Sequence, residues 1–467
     1  MDRIDLLDSG FLHLETREAP MHVAGLSLFK FPARVHEAKF MARLGECYRS
    51  TTELRKPFAH RVTHGVLGRF GPLYWEHDPE LDLDYHVHHS ALPQPGRYRE
   101  LFSLVSRLHS ALLDRSRPLW EVRLIEGLQN REFAIYTKMH HAAIDGVGGA
   151  RLTEGSCSPD PKAKINLSPL SLEAHERYKA EHGYTRATGL APSEFELKAM
   201  AEFLKAQFDT SAHLLGVIKS YAATWLGFGG GLAVPWRHVP HTILNTQVSS
   251  SRRFVAQSWS IDRVRAVSKA AHVTINDVVL AMCSGALRRY LGDLGELPEH
   301  SLRALVPVSV REKNDFDSAV AISYIIADLG TRHADPAERL DAIVESTRAG
   351  KEMLSELTSR EDSLYATLMQ TPLFVASMMG IADWFPPVST VISNVPGPKE
   401  QLYWNGAPLL GSYPVSAVFH GFALNITFVS YNGNLDFGII ACRRTVPHVQ
   451  RLIDYLEESL SELEEIV

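Results

Sequence analysis

Between residues 132 and 146 an alternating apolar stretch runs straight into two adjacent histidines, an arrangement that packing alone does not explain. Phe133, Ile135, Thr137 and Met139 recur with period two, so the spacing predicts a half-buried strand whose successive side chains point to opposite faces. His140 and His141 follow at once, then Ala142, Ala143, Ile144, Asp145 and Gly146. Only one of the two imidazoles can then face a given cavity. The chain must therefore build a sheet that delivers a polar motif at the end of an apolar strand.

A chain of 467 residues exceeds one ordinary core, so two domains of about 200 residues each are expected. The split reads as a first domain over 1–160, a partly helical linker over 161–243 and a second domain over 244–467. A hydrophobic share of 45% and a charged share of 22% are those of a globular protein. The net charge of -6, with no basic run to track a phosphate backbone, offers nucleic acid no general attraction. Cys47, Cys157, Cys283 and Cys442 form no C-x-x-C pair and no ligand spacing, which argues against structural zinc or a disulfide framework and fits a reducing, cytoplasmic compartment. The start, Met1-Asp2-Arg3-Ile4-Asp5, has no apolar h-region, so no secretory signal is expected. Two apolar windows, 214–236 and 364–382, raise the membrane question. Lys219 and a glycine run interrupt the first, Gln370 and Pro372 the second, so buried or interfacial segments fit better than spans.

Taken in order, the chain alternates helical and strand patterns. A short amphipathic start precedes Pro20-Met21-His22-Val23, which opens a strand through Phe29, and His22 reads there as a hydrogen-bonded structural residue. Segments 35–49 and 98–113 carry helical spacing. Pro118-Leu119-Trp120-Glu121 then opens a strand that pairs, across Glu126-Gly127, with the strand bearing the histidines; Pro118 and Trp120 are read as structural support for its entry and packing. In the second half, Thr274 and Asp277 resemble a capping box at the start of a helix carrying Val279, Met282, Ala286 and Tyr290. Strands are expected over 302–310 and 322–328, a helix from Asp335-Pro336, and a hairpin around Asn432-Gly433. A final amphipathic helix is expected over 446–466. Strands and helices mix without repeats, so the fold class is α/β with mixed sheets.

Histidine can take a proton from a hydroxyl at neutral pH and return it to a leaving group. His141 is the candidate base, with His140 supporting the strand from its other face. Metal binding is the competing reading, but imidazoles that point apart chelate one ion poorly; a merely structural pair is the third. Asp145 is placed to orient His141, to cap a helix beginning near Val147, or to pair with a distant arginine, while Gly146 helps shape the turn. Asp277 is explained by its cap, whereas the cap does not need Asn276. No G-x-S-x-G is present and Cys283 lies inside an expected helix, so no covalent nucleophile is signposted.

His140-His141-x-x-x-Asp145-Gly146 stands with Pro118-Leu119-Trp120-Glu121, Arg252-Arg253-Phe254, Asn276-Asp277-Val278-Val279, Val306-Pro307-Val308-Ser309 and Ser393-Asn394-Val395-Pro396-Gly397-Pro398. In this order and over nearly the whole chain, the set resembles the bacterial wax ester synthase/diacylglycerol acyltransferase family. That resemblance implies two chloramphenicol-acetyltransferase-like domains with the active-site tunnel between them. It further implies acyl transfer from acyl-CoA, as co-substrate and with no other cofactor, to a long-chain alcohol or diacylglycerol. His141 would deprotonate the acceptor and Asn276 would assist from the second domain. The same resemblance implies a cytoplasmic enzyme associated peripherally with membranes or lipid droplets. Two other readings stand beside it: a condensation-domain-like acyltransferase using another donor, and a non-catalytic droplet-binding protein.

Overall fold

The computed structural model describes residues 2–65, 71–144, 146–181, 223–224, 232–309, 322–355 and 383–467. The first half runs β1 (Asp2–Arg3), α1 (Leu6–Leu14), β2 (His22–Lys30), α2 (Glu37–Arg49), β3 (His60–His64), β4 (Leu73–His77), α3 (Leu83–His86), β5 (Val87–Ala91), α4 (Tyr98–His109), β6 (Trp120–Glu126), β7 (Glu132–His140), α5 (Gly146–Ser156) and α6 (Leu172–Glu181). The second half continues with β8 (Arg252–Ser260), α7 (Ile261–Ala270), α8 (Ile275–Asp293), β9 (Arg303–Ser309), β10 (Ile322–Asp328), α9 (Pro336–Ser355), β11 (Thr390–Val395), β12 (Tyr403–Trp404), β13 (Ala407–Val415), β14 (Leu424–Tyr431), β15 (Asn434–Cys442) and α10 (Arg451–Glu465). Most of the expected linker and of both apolar windows lies outside the described residues.

The strands assemble into two six-stranded sheets, ordered β12-β13-β2-β7-β6-β5 and β10-β9-β11-β14-β15-β8, with a small sheet β1-β4-β3 beside them. Both large sheets are mixed: β5 runs parallel to β6, and β11 runs parallel to β9 and β14. The α/β class with mixed sheets is therefore the observed one. Local chemistry explains several of its boundaries. Thr274 and Asp277 form the reciprocal cap of α8, each accepting a backbone N–H from the other. Asn432 and Gly433 both adopt positive φ, 43° and 78°, as the two-residue turn between β14 and β15 requires.

Strand β7 departs from the expected half-buried pattern. Phe133, Ile135 and Met139 pack in the same core as Phe40, Met41 and Leu44 of α2, while Ala134 and Tyr136 pack with Leu101 and Val105 of α4 and Phe254 of β8. Both faces are thus covered. Lys138, charged within this strand, is buried and satisfied: its Nζ donates to the carbonyls of Leu108 and Ala111 at 3.1 and 3.0 Å and meets Glu121 at 2.8 Å. The same contacts account for the end of α4 at His109 rather than near 113. The carbonyls of Leu108, His109 and Ala111 are taken by Lys138 and by His22 Nε2.

The two halves of the chain are not separate in the sheets. β12 and β13, from the last quarter of the sequence, join the first sheet, where β13 pairs antiparallel with β2 from Leu409↔Phe29 to Val415↔Ala24. On its way β13 presses against β15. A Cβ at Gly438 would lie 1.7 Å from the Pro414 carbonyl oxygen, a distance no side chain tolerates. Gly438→Ala is therefore expected to destabilise the fold by about 3 kcal/mol or more, at the upper end of overpacking costs, read as a lowered urea midpoint at unchanged slope.

Candidate active site

A cavity of about 310 Å³ lies between the two large sheets. The first sheet contributes Val23 and Gly25 of β2 and Ile135, Thr137 and Met139 of β7; the second contributes Pro307 of β9, Ser393 of β11 and Asn425, Thr427 and Val429 of β14. In β7 and β14 alternate residues reach it, because a strand presents every second side chain to one face. The opposite face of the second sheet, with Ala304, Ile392, Ile426 and Phe428, packs in one core with α8 and α10. Gly149, Leu152, Thr153 and Ser156 line a further wall at helical spacing along one face of α5.

His141 lies on the cavity wall, immediately after β7. Its ring stacks on Phe11 of α1, with centroids 4.1 Å apart and planes 17° from parallel. Its backbone N–H donates to the Met21 carbonyl at 2.9 Å. His140, the last residue of β7, is fully buried behind the wall. Its Nδ1 accepts the backbone N–H of Ala142 at 3.1 Å, so the ring closes the short turn that carries His141. Burial, reinforced by the charge of Arg115 and by His141, lowers the His140 pKa to about 3 and keeps that imidazole neutral.

The strand entry supports this turn. Leu119 accepts the His140 backbone N–H at 2.9 Å, and the Pro118 carbonyl accepts that of Trp120 at the same distance. Trp120 is buried, donates through Nε1 to Phe58 and stacks on His86 at 4.3 Å. Asp277 spends both carboxylate oxygens on structure: one on the cap of α8, the other accepting the Thr347 hydroxyl at 2.8 Å. Asn276 is half-buried on the first turn of α8 and is not among the residues lining the cavity; the amides that do line it are Asn394 and Asn425. Asp145 lies outside the described residues, and Gly146 begins α5. The alternation reading did not single out Phe11 or Asn425. A polar Asn425 and Thr427 on one face of an otherwise apolar strand was the available signal for the second.

None of the four cysteines lines the cavity. Burial pushes the thiols of Cys157 and Cys283 up to about 12, far from the nucleophilic thiolate. Among the described residues no group of three or more His, Cys, Asp or Glu side chains is placed to hold a metal ion.

The two mixed sheets with a cavity between them match the chloramphenicol-acetyltransferase-like fold of a solved structural relative. Models of the wax ester synthase/diacylglycerol acyltransferase catalytic domain and of the family's C-terminal domain match residues 4–279 and 321–464. The chain belongs to this family and is an O-acyltransferase. It is 39% identical to the O-acyltransferase WSD of Acinetobacter baylyi over 461 residues, 99% of this chain and 96% of that one. A Mycobacterium tuberculosis protein described as a probable diacylglycerol O-acyltransferase is 42% identical over 486 residues, covering 100% of both chains. The solved wax ester synthase/diacylglycerol acyltransferase of Marinobacter aquaeolei VT8 superposes with a TM-score of 0.77 at 37% identity, over 100% of this chain and 99% of that one.

The buried histidines make a pH prediction. His22, His109 and His140 are all held below the free-histidine value of 6.5, primarily by burial, His109 and His140 down to about 3. Below pH 6.5 the unfolded chain binds protons that the native state refuses, so stability falls as pH falls toward 3. Each residue contributes up to about 1.4 kcal/mol per pH unit in that window. Urea midpoints between pH 7.5 and 4.5 are expected to drop steeply, and less steeply in His22→Asn once its lower baseline is subtracted.

Proposed function

We propose that this protein transfers a fatty acyl group from acyl-CoA to a long-chain alcohol or a diacylglycerol, with His141 as general base. The observation that carries the reading is His141 on the wall of a largely apolar cavity lined from both sheets. The acceptor hydroxyl gives its proton to the imidazole while its oxygen attacks the thioester carbonyl. The tetrahedral intermediate collapses by breaking the C–S bond, and the departing CoA thiolate recovers the proton from the imidazolium. No acyl-enzyme forms, and acyl-CoA is a co-substrate, so the reaction balances without a bound cofactor. An amide from the second half meets the developing oxyanion. We place that donor at Asn425, on the wall, ahead of Asn276 at the start of α8. His140 and the Pro118–Trp120 entry hold the turn.

CoA release by the purified protein with palmitoyl-CoA and hexadecanol or dioleoylglycerol tests this assignment. His141→Ala is expected to bring release to background, and Asn425→Ala to lower kcat about 100-fold, the usual loss for one oxyanion donor. Equal release by wild type and His141→Ala overturns it.

Such acceptors reside in lipid, and we place the enzyme peripherally at a membrane or droplet surface. Among the described residues no single helix is long and apolar enough to cross a membrane. The reading is supported by Trp384 and Phe385, 81% and 58% exposed, with Phe385 stacked on Trp236. Aromatic side chains of this kind favour the interfacial zone of a bilayer. The double variant Trp384→Ala/Phe385→Ala is expected to float with phospholipid vesicles several-fold less than wild type while turning over a short, water-soluble acceptor normally. Undiminished flotation rejects these residues as the anchor.

A further inference from the structure

The cap of α1 carries a buried carboxylate that the reaction does not use. Glu15 ends that helix, its backbone N–H donating to Phe11, and only 3% of its side chain is exposed. Burying an ionised carboxylate is costly unless its lone pairs are satisfied, so its partners identify its purpose. Oε2 accepts two hydrogen bonds from Arg115, Nε at 3.1 Å and Nη2 at 3.0 Å. Arg115 also donates to the Leu12 carbonyl within α1, which fixes the pair to the helix. Oε1 accepts the Met21 backbone N–H at 3.1 Å and lies 3.6 Å from Nε2 of His140.

That last approach has a direction. His140 Nδ1 accepts from Ala142, so the single proton of the neutral ring sits on Nε2 and points at Glu15. Nε2 is buried and has no hydrogen-bond partner within bonding distance, which leaves Glu15 Oε1 as the acceptor facing it. Two of the contacts that hold His141 also lead back to Glu15. The Met21 residue whose N–H it binds offers its carbonyl to the His141 backbone, and the helix it terminates carries Phe11, stacked on the His141 ring.

We propose that Glu15, clamped by Arg115, is a positioning residue: it faces the Nε2–H that the Ala142 contact leaves on His140 and, through Met21 and the end of α1, holds the His141 ring against the cavity wall. The proposal rests on His141 being the base. Glu15 touches no substrate. It acts as the buried acid of a catalytic triad acts on its histidine, but one residue removed and through the backbone.

The test compares Glu15→Gln, Arg115→Gln, Arg115→Lys and His141→Ala in the full-length enzyme, with kcat, both KM values and thermal midpoints. In Glu15→Gln one carboxylate oxygen becomes an NH2 that meets a donor in either orientation, Arg115 on one side or the Met21 N–H on the other, so the clamp is broken on one side although the side chain keeps its size. At least a tenfold fall in kcat is expected, with KM for acyl-CoA and acceptor within about twofold. Arg115→Gln is expected to follow, and Arg115→Lys, which keeps a single charged donor, to recover part of the loss. Should Glu15→Gln fail to fold, the half-exposed Arg115 pair decides the question by the same split. A folded Glu15→Gln or Arg115→Gln enzyme with wild-type kcat, or one changed in KM alone, overturns the positioning role. An active His141→Ala enzyme instead removes the base on which the proposal stands.

Discussion

The ladder between β13 and β2 joins the far end of the chain to the first sheet, and the cavity depends on it. β13 is held on its other side by β15, where Asp436 accepts the Ser412 backbone N–H at 2.7 Å and the Ser258 hydroxyl at 2.6 Å. Burial raises the Asp436 pKa to about 6, against which these two donors favour the ionised form. One strand is thereby fixed to both sheets. Ser412, Pro414 and Val415 of that strand also line the cavity, so its shape is set by the same backbone that sets the spacing of the halves.

Behind the wall several buried polar side chains have defined partners. Lys138 serves the last carbonyls of α4, His22 serves His109, and His109 bonds Tyr136 and Ser416. Arg252, almost fully buried, donates to the carbonyls of Glu18, Val418 and Ser249, tying the loop before β2 to the second half. Such groups are tolerated only when satisfied, and once satisfied they specify one arrangement. The consequence for function is a rigid support: the turn after β7 is braced from α1, β2 and β6 before any substrate arrives.

Much of this could be read from local chemistry. The capping box at Thr274 and Asp277, the Asn432-Gly433 turn, the β6–β7 hairpin and the start of α9 at Pro336 all follow from residues within a few positions of one another. The double burial of β7 could not be read, because Lys138 looks like a solvent-facing residue until the carbonyls of α4 are beside it. Nor could the clamp on the His140 turn, since Glu15 and Arg115 are 100 residues apart and neither stands in a motif. Asn276 stood in a motif and drew attention there; the amides on the cavity wall are Asn394, itself within a motif, and Asn425, whose only local sign was polarity within a buried strand.

By itself the sequence determined the family, the mixed α/β class and the position of the histidine pair. Those depend on side-chain type and short spacing, which survive without coordinates. The tertiary structure alone decided that β12 and β13 belong to the first sheet, that the turn bearing His141 leans on α1, and that the cavity takes walls from both halves. Strand pairing and the partnering of buried charges join residues far apart in the chain. Neither leaves a periodic trace in the segments it connects, because each pairing is selected by what the rest of the fold leaves unsatisfied.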